Sequence, residues 1–364
     1  MLILDNVTGN GSKTIIIFEM VIVTMNIKDI AKSARVSVST VSRVLNNHPD
    51  VSEATRKQVK DEIEKFHFTP NANAKTLKQQ RTKNIAIIVK GANNVLFQNM
   101  IELLERQIAK AGYMSVPNFI DQYEDELNVA QLMTREKKPQ GIIFLGANIN
   151  NFRIKFSKIK IPCVIATTSA QDLPFSNLSS VSVDDFAAGK MALDYLFSMG
   201  HRNIVILGDD GPSSFITQLR FNGCMESYKN HSIAFDHKYL IKCGFDIEKA
   251  YECIKAAIAG DMDISAIFAM SDLMAIGAAK AVTDSGLRVP DDISVMGFDG
   301  IEIAKYYYPT LTTIKQPIKD MTKKTVEILM KNINSEHKGN LEPIHIIFQA
   351  ETLIGHSVKN CREA

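Results

Sequence analysis

NIKDIAKSARVSVSTVSRVLNN, residues 26–47, decides how the rest of the chain is read. Its centre, VSVSTVS (36–42), alternates apolar and polar side chains and is rich in β-branched residues, which by propensity alone is a half-buried strand. The surroundings favour a helix. Ile27, Ile30, Ala31 and Ala34 fall at helical spacing. Beyond them Ser37 can cap a second helix, with Val36 and Val41 at the spacing of a hydrophobic staple. Val41, Val44 and Leu45 then share one face, leaving Val38, Ser39, Ser42 and Arg43 on the other. Only Arg35 and Val36 separate the first helix from the cap. Two short helices so tightly joined make a helix-turn-helix, whose second helix can enter the major groove of DNA. The short side chains of its outer face then have a purpose, because they let the helix backbone approach base edges. A third helix is expected after the cap Ser52, with Val59, Ile63 and Phe66 facing inward.

Charge supports this reading. Residues 25–83 hold twelve Lys/Arg against six Asp/Glu, a net of +6, within a chain of 364 residues whose total is +2. A basic head on a slightly acidic body suggests a polyanionic partner. The length and 45% hydrophobic content allow two or three domains with proper cores. Five scattered cysteines without CxxC spacing argue against a disulfide framework or a zinc site, and fit a reducing cytoplasm. No apolar run approaches the ~20 residues that cross a bilayer, so no membrane partner is expected. The run KTIIIFEMVIVT (13–24) resembles a crude secretory signal, but Glu19 interrupts it and no small-x-small cleavage site follows. Residues 1–24 are expected to be an upstream extension before a natural start at Met25, or else a disordered arm. P-loop, GxSxG and HExxH motifs are absent and the eight histidines lack metal-ligand spacing, with His48, His67 and His201 read as turn or packing residues. Neither an enzyme nor a cofactor is expected.

IKDIAKSARVSVSTVSRVLNN followed by VSEATRKQVKDEIEKFHFTPNANAKTLK resembles the headpiece of the lactose-repressor (LacI/GalR) family. The elements D-[IV]-A, V-S-x-x-T-V-S-R-V-[LI]-N and F-x-P-N-x-x-A-x-x-L occur in order and at the family's spacing. The resemblance implies that Val38, Ser39 and Arg43 read bases in the major groove while Thr40 and Ser42 lie nearer the phosphates. Arg43 stands out because a guanidinium can bond O6 and N7 of one guanine together. Thr69-Pro70 starts a further helical signal of barely two turns, too short to be stable alone in water. In the family two such hinge helices pair in the minor groove of a dimer's operator. The matching wedge and groove-contacting residues are Leu77 and Lys78. The domain plan is 25–69 for the helix-turn-helix unit, 70–83 for hinge and linker, and 84–360 for the body.

The body reads as short buried strands alternating with helices: 85–89, 141–145, 163–166, 181–184, 203–208, 266–270 and 293–298 for strands, with 98–111, 186–199, 248–259 and 273–285 between them. That pattern is a parallel sheet covered on both faces, and its length calls for two such α/β lobes. SMGHRNIVILG (198–208), FAMSDLMAIGAAKAVTDSGLRVPDDISVMGFDG (268–300) and YYPTLTTIKQP (307–317) resemble the effector-binding and dimerisation core of the same family, itself similar to two-lobed periplasmic sugar-binding proteins (the type I arrangement). The lobes are expected at 84–184 with 316–338, and 185–315 with 339–360. Cleft candidates are Asp184, Arg220, Asp272, Asp299 and Gln316, with Phe97 and Phe245 as apolar faces. Carboxylates and a guanidinium at strand ends suit a polyhydroxylated ligand. Asp272 precedes a helix and could equally cap it. Ser271 stands where many sugar-responsive members have Asn, and the loop GDDGPSSFITQLR lacks the residues of purine-responsive ones, which favours a sugar. Tyr308 before Pro309 replaces the arginine of members that answer to a phosphorylated carrier protein. The expected function is a cytoplasmic, homodimeric repressor that binds a pseudo-palindromic operator and is released by a sugar or sugar phosphate. The alternatives are a corepressor-dependent regulator of the same fold and, further off, a solute-binding transport protein.

Overall fold

The computed structural model describes residues 26–45, 48, 50–66, 83–91, 94–122, 124–208, 215–336 and 341–362. The leading segment 1–25, the hinge with Thr69, Pro70, Leu77 and Lys78, and His67 lie outside the described residues. The chain divides into two compact units, Met1–Gln80 and Arg81–Ala364.

In the first unit, α1 (Ile27–Ser33), α2 (Val38–Leu45) and α3 (Glu53–Lys65) form a three-helix bundle. Asn26 starts α1 with a reciprocal capping box, its side chain accepting from the Lys28 N–H while the Asp29 carboxylate accepts from the Asn26 N–H. Arg35 makes the sharp turn between helices with φ 49°. The Ser37 hydroxyl then accepts from the Thr40 N–H at 3.1 Å, capping α2. Ile30, Ala31, Ala34, Val41, Val44 and Val59 form the buried core, with Val36, Ile63 and Phe66 packed against it. From Val38 on, helix is the right state because it puts Val41 and Val44 into that core together, which a strand cannot do. The Ser33 hydroxyl donates to Glu62 at 2.5 Å, tying α1 to α3 and holding that carboxyl below its ordinary range. A core this small makes each helix cap, worth about 1 kcal/mol, a sizeable share of stability.

The second unit contains two six-stranded sheets. The first joins β1 (Asn84–Lys90), β2 (Met114–Ile120), β3 (Gly141–Leu145), β4 (Cys163–Ala166), β5 (Leu178–Val183) and β11 (His345–Phe348) in the order β11-β5-β4-β3-β1-β2, all parallel. Its helices are α4 (Val95–Lys110), α5 (Glu126–Glu136), α6 (Ile149–Lys155) and α12 (Ile318–Glu336). The second joins β6 (Ile204–Gly208), β7 (Leu240–Lys242), β8 (Ala266–Ala269), β9 (Ser294–Asp299), β10 (Thr312–Lys315) and β12 (Glu351–Leu353) in the order β12-β10-β9-β8-β6-β7, parallel except for the β10–β12 pair. Here the helices are α7 (Asp185–Ser198), α8 (Phe215–Asn230), α9 (Ile247–Ala259), α10 (Asp272–Asp284) and α11 (Ile303–Tyr306). This is the helix-turn-helix head and two-lobed α/β body expected from the pattern. Among the described residues no helix is long and apolar enough to cross a membrane.

The chain passes between lobes three times, after β5, after β10 and between β11 and β12. The last passage corrects the expected boundary near residue 339. His345–Phe348 still pairs with β5 of the first sheet, and Ile344, Ile346 and Phe348 pack on that lobe's core, so the return falls between Phe348 and Glu351. Leu273 and Ile301 of the second lobe also pack against the first lobe's core. The carboxyl ends of β8 and β9 therefore face the first lobe, where open α/β sheets place their ligands.

Candidate functional site

In the head, α2 presents Val38, Ser39 and Arg43 to solvent, while Thr40 and Ser42 are half-buried. Ser37 is the centre of a hydroxyl cluster, 2.6 Å from the Ser39 hydroxyl and 2.8 Å from that of Thr40. Its oxygen also accepts the capping N–H, so it has one proton to give and one hydroxyl proton to take. Ser39 and Thr40 therefore play opposite roles toward it. No acid pairs with Arg43 among the described residues, which leaves an exposed guanidinium on a helix face of short side chains.

In the body, Arg220 is the centre of the candidate cleft. It is 6% exposed, and its Nε donates to Asp185 at 2.8 Å while an η nitrogen donates to the Met270 carbonyl at 3.0 Å. The guanidinium carbon lies 3.7 Å from the ring centroid of Phe298, so the plane is backed by an aromatic face. Two glycines make the reach possible. A Cβ on Gly189 would stand 2.1 Å from the Arg220 carbonyl oxygen, and one on Gly223 2.0 Å from that of Phe186, so α7 and α8 touch backbone to backbone. Asp185 is deeply buried. That burial raises its pKa, and the Arg220 charge and hydrogen bond oppose the rise.

Asp299, at the end of β9, has φ 113°, a strained conformation for a residue with a Cβ. Gln316 holds it there, its backbone N–H donating to the Asp299 carbonyl at 3.1 Å and its Nε2 to the carboxyl at 2.7 Å. Burial pushes the Asp299 carboxyl up to about 7, against the pull of Arg220 and Gln316. The three residues thus meet at the carboxyl ends of β9 and β10, Arg220 reaching there from the second turn of α8.

Two expected cleft residues do other work. Asp184 accepts from the Ala187 N–H at 2.9 Å and caps α7, and its neighbour Asp185, which the sequence reading passed over, meets Arg220. Asp272 has no exposed surface. One oxygen takes the Thr313 hydroxyl at 2.5 Å and the other the Ile301 N–H at 2.8 Å, so it ties α10 to β10 and to the loop after β9. The cap of α10 is Ser271. Phe97 is buried at the start of α4, its ring 2.8 Å from where a Cβ on Gly146 would lie, over the ends of β1 and β3. Phe245 stands 45% exposed in the turn after β7 and belongs to none of the cores. The first lobe adds what no charge pattern signalled. The hydroxyls of Thr167, Thr168 and Ser182, at the carboxyl ends of β4 and β5, are buried with no hydrogen-bond partner among the described residues. Thr167 holds φ 98°, rare for a β-branched residue.

Burial and the Asp299 charge raise the Asp272 carboxyl to about 8, against the Thr313 and Ile301 hydrogen bonds. A carboxyl unfolded near 3.8 and folded near 8 keeps a proton that the unfolded chain loses. This group's contribution to stability is therefore fully present below about pH 4 and is lost as pH rises toward 8, by up to about 1.4 kcal/mol per pH unit for each such group. Urea unfolding at pH 5.5, 7.0 and 8.5 is expected to show this decline, and Asp272→Asn to flatten it. A wild-type stability independent of pH over that range would contradict the assignment.

The family model for bacterial regulatory proteins of the lacI family matches residues 26–71, and that for periplasmic binding protein-like domains matches residues 193–357. The HTH-type transcriptional regulator MalR of Clostridium butyricum is 37% identical over 331 residues, 90% of this chain and 97% of the relative. Two solved structures share the fold over 92% of this chain and 99% of theirs. One is the lac repressor dimer bound to operator and the anti-inducer ONPF (TM-score 0.68, 21% identity), the other the transcriptional regulator CelR–cellobiose complex (TM-score 0.66, 22% identity). Helix-turn-helix head, two-lobed body and full-length relatives agree: the chain belongs to the lacI family of bacterial regulatory proteins, which are transcriptional regulators and not enzymes.

Proposed function

We propose that this repressor acts in the cytoplasm as a homodimer on a pseudo-palindromic operator, and that a sugar or sugar phosphate in the body's cleft releases it. The observation that carries the effector half is the buried Arg220–Asp299–Gln316 cluster backed by Phe298. Forked and bidentate groups on an aromatic wall match adjacent ring hydroxyls. Thr167, Thr168 and Ser182 offer three more hydroxyls from the facing lobe. A cellobiose complex of a protein with this fold supports a carbohydrate.

Val38, Ser39 and Arg43 contact bases in this reading, with Thr40 and Ser42 near the phosphates. Leu77 and Lys78 enter the minor groove from the hinge, whose short helix gains support only from its twin and the bent duplex. Effector binding favours a lobe arrangement that separates the twin hinges, a population shift that lowers operator affinity. Fluorescence anisotropy with duplexes from the DNA upstream of the protein's own coding region tests this. Wild type is expected to prefer one dyad, and Leu77→Ala to weaken that binding at least tenfold while sugar binding, read by thermal shift, is unchanged. Equal affinity of wild type for every duplex would reject the proposal.

A further inference from the structure

A row of cations runs along the amino-terminal edge of the first sheet. Hydrogen bonds align the starts of four adjacent parallel strands there: the Met114 N–H donates to the Lys83 carbonyl, that of Gln140 to Asn84, and that of Ile142 to Pro162. Lys83 lies just before β1, Lys110 before β2, Lys137 and Lys138 before β3, and Lys158 and Lys160 before β4. All six are exposed. Among the described residues Lys83, Lys110, Lys158 and Lys160 have no acid within 4.0 Å. In the last turn of α5, Arg135 and Glu136 offset each other. Asp172 and Glu342 stand at the far end of the edge, beside β5 and β11.

Helix C-termini, where positive charge is favoured, account for three of these cations: Lys110 in the last turn of α4, Lys137 capping α5, and Lys158 ending the short 3-10 turn Phe156–Lys158. Lys83, Lys138 and Lys160 belong to no helix. Strands sit about 4.8 Å apart, so the row spans about 15 Å, a length over which duplex DNA presents roughly nine phosphates. Lysines are depleted in protein–protein interfaces, which favour aromatic anchors, and as compact point charges they suit phosphates. The row also begins at Lys83, which ends the basic +6 stretch 25–83.

We infer that this edge of the body is a second, sequence-independent binding surface for the phosphate backbone of duplex DNA. It rests on the reading of the protein as a DNA-binding regulator and adds to it a contact outside the head. The test uses the full-length protein and a labelled 40-base-pair duplex of mixed sequence, with affinity measured between 50 and 200 mM KCl. Each phosphate contact contributes about 0.9 to the salt slope. Lys83→Gln/Lys158→Gln/Lys160→Gln is expected to lower the slope by about 2.7 for each subunit that meets the duplex, and Lys137→Gln/Lys138→Gln by about 1.8. Both should melt at the wild-type temperature and bind at least tenfold more weakly at 50 mM. Slopes equal to wild type in both variants overturn the inference, including the case in which the lysines bind an acidic protein instead. If wild type itself shows no salt-dependent binding, the DNA-binding reading falls first.

Discussion

Arg220→Ala is expected to lower the stability of the body by about 3–5 kcal/mol, the usual result of stranding one member of a buried ion pair. The loss has three sources at one residue: Asp185 keeps a buried charge without its partner, the Met270 carbonyl loses a donor, and Phe298 loses the group stacked on it. Arg220→Lys separates packing from geometry. An ammonium keeps the charge but lacks the planar fork that serves Asp185 and Met270 together. That variant is expected to retain most of the stability while no sugar raises its melting temperature. Urea unfolding and thermal-shift titration read the two effects. A loss below about 1 kcal/mol for Arg220→Ala would mean that Asp185 is satisfied some other way.

How much of this was legible in the chain depended on burial. Strands such as Ile142–Leu145 and Ala266–Ala269 are covered on both faces and appear as unbroken apolar runs. The edge strands do not. Met114–Ile120 is half-exposed and contains Pro117, tolerable only because β2 has a partner on one side. Glu351–Leu353 and Leu240–Lys242 are three residues each, too short for a pattern. Thr312–Lys315 is polar yet buried, because Ser357 and Gly355 satisfy the Thr312 N–H and hydroxyl while the Thr313 hydroxyl bonds Asp272.

The site shows the same division. The family resemblance marks Arg220, Asp299 and Gln316 as cleft candidates, and the fold brings them together. The exchange of roles between Asp184 and Asp185 was not legible, since it depends on which residue starts α7, and one step along a helix turns a side chain by about 100°. Thr167, Thr168 and Ser182 carry no charge or motif to mark them. Only their burial without partners does.

The second large effect belongs to the head. Arg43→Ala is expected to cost about 1–3 kcal/mol of discrimination between operator and mixed-sequence DNA, the value of one bidentate base contact. Because Arg43 is exposed and bears none of the bundle's core, the melting temperature should stay within a degree of wild type. Competition anisotropy measures the discrimination. Equal losses on both DNAs would assign Arg43 to a phosphate instead of a base.

The central claim is that cleft and head are linked, so the most direct measurement is reciprocal. Take the sugar that most raises the melting temperature, measure operator affinity with and without it, and measure its own affinity with and without operator. Linkage requires the two factors to be equal, and a coupling of 1–3 kcal/mol, typical of allosteric proteins, puts them between about 5- and 150-fold. Equal factors in that range are the predicted result. A sugar that binds the cleft with the same affinity whether or not operator is present would contradict the account.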